Sequence, residues 1–482
     1  MLKNLTKKIV FLMLIAAFVF AITTCASQSS SAGTAPQTGV ILEKRVLTLT
    51  LGASEKLNYT LTPEASNQRL VWASSDSRIV SVSNDGTVTA NNYATGGNAR
   101  ANSSPATGTA VITVKTADGQ FEDAITVTAT TQAFVDIMAL PPIKDQFSPY
   151  FMIGNIFNPG DVGSSGVTNQ RLIRHYNILT PENAMKPDTL SPGRGTYNFA
   201  TSNRMVNAAI ASGFKVHGHT LLWHQQNAGW MTSMARANKE TALAAMKRYI
   251  TDVVTHFKGR VYSWDVLNEV FPDSVGQYND WQDEMRPENP WYASIGSDFV
   301  YEGFLAARLA DPDAILFYND FNTDSYPKAT MIHNMVRDVN QRYLTSGDKP
   351  AGEARDRLLI EVIGMQEHHN IDISMSSISR TINQFRPLGV KIAVTELDVL
   401  AQSWGEYSAR TPVTNEGIYN QSLAYGEYFE LYLENADIIE RVSIWGVTDN
   451  QSWRSFGLPL LFSSQGKAKP AYYMVIQALG SI

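Results

Sequence analysis

The alternation of apolar and polar positions changes character once along this chain. Between residues 40 and 130 it has period two, in short runs such as VLTLTL, KLNYTL, RLVWAS, IVSVS, TVTA, AVITV and AITVTA, punctuated by the turn signals NDG and ADG. Half-buried strands broken by tight turns at a spacing of about ten residues predict a small all-β sandwich. After a connector at 131–149 the runs become apolar throughout, and amphipathic stretches separate them. Eight such runs read as strands: FMIG (151–154), NILT (177–180), KVHGHTLLW (215–223), VYSWDVLN (261–268), AILFYND (314–320), IEVIGMQ (360–366), KIAVTE (391–396) and RVSIWGV (441–447). A typical intervening stretch, ETALAAMKRYITDVVTHFKG, repeats its apolar residues at three and four and ends on Gly259, which predicts a helix. Eight strands each followed by a helix predict an α/β fold, a (β/α)₈ barrel over 150–482.

The first residues follow another pattern. Lys3, Lys7 and Lys8 precede IVFLMLIAAFVFAI, a run short for a membrane span of about 20 residues but suited to a signal h-region. Cys25, the single cysteine, then sits where a bacterial lipoprotein is cut and acylated, and the small polar residues 26–39 make a flexible tether. The expectation is a signal peptide over 1–25, export, and a lipid anchor at Cys25 holding the protein at the cell envelope or surface. Ordinary cleavage nearby, giving a secreted protein, is the alternative. One cysteine excludes an intramolecular disulfide.

Composition narrows the partners. At 482 residues with 44% apolar residues the chain can bury two or three domain cores. The net charge is −6 and no Lys/Arg block occurs, which argues against nucleic acid and anionic membrane surfaces and for a neutral substrate. A monomer without a metal or cofactor is expected, touching a membrane only through its lipid.

The strand ends carry the chemistry. The second run leads into Glu182 and Asn183, the third carries His219 and His224, the fourth Asn268 and Glu269, and the fifth Asn319 and Asp320. The sixth ends on Gln366 and His368, the seventh on Glu396 and Asp398, the eighth on Asp449, while the strand starts show no such residues. In this barrel the C-terminal ends converge on one face, so a ring of carboxylates, amides and imidazoles gathers where active sites form. Any one of these residues alone would more often be a cap or loop anchor. Cleaving a glycosidic bond needs a carboxylic acid on the leaving oxygen and a second carboxylate across the sugar, and Glu269 and Glu396 are the pair that opposite strands supply. The acid must keep its proton near neutral pH, which burial or a neighbouring carboxylate favours. Asn268 is placed to bond a ring hydroxyl, and His368, oriented by Asp398, to hold the other carboxylate.

The stretches PENAMKP, HGHTLLWHQQ, WDVLNEV, FYNDFN, GMQEHH, TELDV and WGVTDNQSWR resemble, in order and spacing, glycoside hydrolase family 10, the endo-β-1,4-xylanases, whose fold is the (β/α)₈ (TIM) barrel. The resemblance implies a retaining enzyme acting on xylan or xylo-oligosaccharides, with Glu269 as acid/base and Glu396 as nucleophile. It implies that Asn268, His219, Gln366 and His368 surround the −1 sugar, and that Glu182, Asn183, Lys186, Trp223 and Gln226 hold the −2 sugar. Trp445 and Trp453 would form an aromatic wall that disfavours a hexose hydroxymethyl group, and Asn319 would lie toward the leaving-group side. Pro187, where the family usually has Trp, His217, where it has a basic residue, and QQNAGW depart from the pattern at the sugar-binding rim. Residues 40–130, through LVWASSDSRIVSVSNDGTVTA and GTAVITVKTADG, resemble the bacterial Ig-like domain of group 2, which implies a spacer. Trp264, Trp281, Trp291 and Trp404 read as packing residues.

Two other classes compete. His217 and His219 share a strand face and, with His224, His368 or His369 and a carboxylate, suggest a metal-dependent barrel hydrolase, although the spacing is no recognised ligand motif. A barrel that binds xylan without cutting it is the other, and the presence of both glutamates argues against it.

Overall fold

The computed structural model describes residues 39–480 apart from 51–52, 64, 66–67, 92–107, 131–134 and 277–279. The expected signal segment, Cys25 and nearly all of the tether lie outside the described residues.

Eight strands build the larger unit: β1 (Met152–Phe157), β2 (Ile178–Pro181), β3 (Lys215–Gly218), β4 (Ser263–Asn268), β5 (Ile315–Asp320), β6 (Val362–Met365), β7 (Lys391–Leu400) and β8 (Ile439–Ile444). Each pairs in parallel with the next, and β8 returns to β1, so the sheet closes into a (β/α)₈ barrel. The strands are apolar on both faces because helices cover the outside and side chains fill the inside. The helix Lys239–Phe257 shows the outer layer: Asn238 caps it by accepting from the Thr241 amide, and Tyr249, Ile250, Val253 and Phe257 face the sheet.

Three boundaries differ from the sequence reading. The third strand ends at Gly218, and the chain beyond it bonds to β4 irregularly, through the amides of Leu221 and Leu222 to the carbonyls of Asp265 and Val266. β7 continues to Leu400 because the short strand His368–Asn370 lies alongside residues 398–400. Part of the expected connector belongs to the barrel: Ile137, Ile143 and Phe147 are buried in its core, with Phe147 stacked on Phe151 at 5.5 Å. Those turns are too short to display a hydrophobic period.

Two strands are irregular where the chemistry would sit. The β4–β5 register skips between Asp265 and Leu267, and the β7–β8 register between Val394 and Leu397. A bulge of this kind redirects the side chains that follow it, and it does so here just before Asn268 and around Glu396.

The N-terminal unit stacks a four-stranded sheet (46–50, 122–130, 108–116, 70–74) and a three-stranded one (54–56, 87–90, 80–82), with strands 40–42 and 59–61 paired separately. Alternate residues Ala110, Ile112, Val114, Ile125 and Val127 fill its core, against which Trp72 packs. KLNYTL, read as one strand, breaks into two at Leu57 and Asn58.

Candidate active site

Glu269 follows β4 in a left-handed backbone conformation, φ +54°, which a non-glycine residue adopts only when its surroundings hold it there. Its amide donates to the Asn319 carbonyl at 2.9 Å, and its own carbonyl accepts from Arg286 Nε at 3.1 Å. The carboxylate receives three neutral donors: Trp223 Nε1 at 2.8 Å on Oε2, and Gln366 Nε2 at 2.9 Å and Asn268 Nδ2 at 3.3 Å on Oε1. His224 Nδ1 lies 3.8 Å from Oε2. Burial, and then the nearby Arg286 guanidinium, push the His224 pKa down to about 4, so this ring is neutral at neutral pH.

Glu396, on the opposite wall, is 5% exposed. Asn319 Nδ2 donates to Oε1 at 2.9 Å, and His368 Nε2 lies 3.1 Å from Oε2. The other nitrogen of His368, Nδ1, lies 3.0 Å from Asp398. Burial alone would depress this imidazole, but Asp398 and then Glu396 hold its pKa up at about 9, so a cation rests against Glu396. Asp398 is itself kept below the usual carboxylate range: burial opposes this, and His368 and the buried Arg454 overcome it.

Amides join the two carboxylates. Asn268 Oδ1 accepts from Asn319 Nδ2 at 2.9 Å, so a path of hydrogen bonds runs from Glu269 through Asn268 and Asn319 to Glu396. Thr395 Oγ1 donates to Asn319 Oδ1 at 2.6 Å. Gly364 on β6 makes room for this amide, since a Cβ there would stand 2.4 Å from Asn319 Oδ1. Asn319, expected toward the leaving-group side, is fully buried and through these bonds supports both Asn268 and Glu396.

Around this floor lie the remaining expected residues. His219 Nδ1 contacts Asp265 Oδ2 at 2.8 Å, and its ring stands edge-on to Trp445 at 5.8 Å. Trp445 also meets His368 at 6.3 Å, and Trp453, 62% exposed, meets His368 at 5.2 Å and donates from Nε1 to Asp398 at 3.1 Å. Lys186 Nζ donates to Asn183 Oδ1 at 3.0 Å and Gln226 Oε1 at 2.8 Å and lies 5.1 Å from the Trp223 ring. Burial lowers the Lys186 pKa against the opposing fields of Glu396, Glu182 and Glu269. Glu182 is bound by Asn158 Nδ2 at 2.5 Å. Pro187 is buried at the first position of the helix Pro187–Leu190 and offers no exposed ring.

The sequence reading passed over several contributors. Asp265 sits between His217 and His219, 3.0 and 2.8 Å from them. Arg441 can only donate to His217 Nδ1, at 3.2 Å, so the proton of a neutral His217 sits on Nε2, which lies 3.0 Å from Asp265 Oδ2. Burial and the Arg441 charge lower the His217 pKa to about 4, consistent with that neutral tautomer. Polar Ser263 and Asp265 at alternate positions of an otherwise apolar strand were the available signal. Both histidines of the metal reading thus share one oxygen of Asp265, and among the described residues no group of three or more His, Cys, Asp or Glu has metal-holding geometry. Trp264 and Trp291 are fully buried, whereas Trp404, read as packing, is half exposed.

Comparison with known proteins gives the same outline. The family model for Glycosyl hydrolase family 10 matches residues 142–478, and that for the bacterial Ig-like domain (group 2) matches 36–96. A crystal structure of a bacterial Ig-like domain containing GH10 xylanase from termite gut is 50% identical, covers 90% of this chain and 98% of its own, and superimposes with a TM-score of 0.73. The endo-1,4-beta-xylanase of Geobacillus stearothermophilus is 31% identical over 350 residues, 70% of this chain and 98% of that protein. The exoglucanase XynX of Acetivibrio thermocellus is 32% identical over 70% of this chain, and the match spans only 29% of XynX. The matched region is likewise about a third or less of two further relatives, at 28% and 33% of their length.

Proposed function

This chain belongs to glycosyl hydrolase family 10, and from that premise we propose that it is a retaining endo-β-1,4-xylanase acting on the xylan backbone. The observation that carries the reading is the pairing of Glu269 and Glu396 from opposite walls over one floor of amides. In the first step Glu396 attacks the anomeric carbon, the bond to the leaving oxygen breaks, and Glu269 gives that oxygen its proton. In the second, Glu269 takes a proton from water, the water oxygen bonds to the anomeric carbon, and Glu396 departs as a carboxylate. Asn268 bonds the 2-hydroxyl as charge develops, and His219, Gln366 and His368 enclose the −1 sugar. Glu182, Asn183, Lys186, Trp223 and Gln226 bind the −2 sugar. Trp445 and Trp453 stack on the C–H faces and crowd a hexose hydroxymethyl, which favours xylose over glucose.

Product analysis on xylan beside carboxymethyl-cellulose tests the substrate, with xylo-oligosaccharides expected from the first and little sugar from the second. Proton NMR of the first-formed product tests retention: the β-anomer supports double displacement and the α-anomer overturns it. The lysine-flanked leader and Cys25 support export with lipid anchoring. Cys25→Ser should then release the protein from the membrane fraction, and unchanged fractionation would overturn the anchor.

A further inference from the structure

A second aromatic surface continues the wall of the cleft. The helix Trp404–Ser408, fixed by a Ser403–Glu406 capping box, places Trp404 at the surface after β7. The buried Arg454 guanidinium lies 4.6 Å from the Trp404 ring and 5.7 Å from the Trp453 ring, so the two indoles are at most about 10 Å apart, within reach of adjoining sugars. Tyr407 and Phe456 extend the surface at a ring separation of 6.2 Å. Over them lies Arg410, exposed, 5.1 Å from Phe456 and 5.9 Å from Tyr407. Among the described residues no carboxylate pairs with its guanidinium, and Glu406, four positions earlier, is engaged by the Ser403 amide at 2.9 Å and hydroxyl at 2.8 Å.

We propose that the Trp404–Tyr407–Phe456–Arg410 surface binds a uronic-acid substituent of the polysaccharide. The inference rests on the xylanase reading. Successive sugars of a β-1,4-linked chain are rotated about the chain axis, so they turn different edges to a given wall. A wall that meets the C5 edge at the cleavage point through Trp453 therefore meets the 2- and 3-hydroxyl edge of the neighbouring sugar, where substituents are attached. An unpaired guanidinium beside the half-buried Tyr407 and Phe456 rings and the exposed Trp404 suits a pyranose bearing a carboxylate: the rings take its C–H face and Arg410 its charge. A neutral substituent such as arabinose would use the rings alone.

The test measures kcat/KM on glucuronoxylan, arabinoxylan and unsubstituted xylohexaose for the full chain and for Arg410→Ala, Arg410→Lys and Trp404→Ala. Arg410→Ala should lower the glucuronoxylan value about threefold to tenfold and leave the other two within twofold. Arg410→Lys should restore part of the loss, and 0.5 M salt should erase the wild-type preference. Trp404→Ala should weaken both branched substrates and spare xylohexaose. Equal losses on all three substrates, or no loss on glucuronoxylan, overturn the proposal. A wild-type protein that cleaves none of them overturns the xylanase reading itself, a different outcome from cleavage of xylohexaose without an Arg410 effect.

Discussion

The two carboxylates of the cleft stand over one floor, yet each is given a different company. Glu269 receives an indole and two amides, and its nearby histidine, His224, is held neutral by burial and by Arg286. Glu396 receives one amide and His368, which Asp398 keeps cationic up to about pH 9. Neutral donors suit a group that has to exist both with and without a proton. A fixed cation suits one that attacks and departs as an anion. On the proposed mechanism, identical side chains take separate roles through the partners that neighbouring strands deliver.

The sharpest way to break this contrast is to remove each carboxylate in turn. Glu396→Ala should lower kcat by on the order of 10⁵-fold or more on every substrate, in steady-state assays with xylan and with aryl xylosides. Glu269→Ala should cost about 10²–10⁴-fold on xylan but spare the first step with a dinitrophenyl leaving group, which needs little protonation, visible as a burst of phenolate. Equal collapse with both kinds of substrate would erase the distinction between the two sites.

The histidines sharpen the comparison through pH. His368 has a raised pKa in the fold, so its contribution to stability is fully present below about pH 6.5, its unfolded value, and is lost as pH rises through about 9. His224 has a lowered pKa, so its contribution is lost in the other direction, as pH falls from about 6.5 toward 4. Thermal unfolding of His368→Gln should accordingly show a smaller drop between pH 7 and 10 than wild type, and His224→Gln a smaller drop between pH 7 and 4. The smallest expected effect comes from the bridge between the sites: Gly364→Ala should displace Asn319 and cost about 1–3 kcal/mol in denaturant unfolding, with a fall in kcat.

Much of this was legible in residue order. The eight apolar runs, the polar pairs at their ends and the period-two alternation before residue 130 announced the barrel, the face carrying the chemistry and the sandwich. Asn319 and Trp404 were not legible in the same way. A polar residue near a strand end reads as a ligand whether it meets substrate or supports a carboxylate from below. A tryptophan in a loop reads as packing until its neighbours are known.

What the sequence determined by itself was periodicity and spacing, because burial on one or both faces of an element is written locally in the pattern of side chains. Only the tertiary structure decided the aim of the reacting groups. The register skips in β4 and β7 and the positive φ of Glu269 arise from how whole strands pair and close. The charge on each histidine is decided there too, because it depends on carboxylates and guanidinium groups brought in from distant parts of the chain.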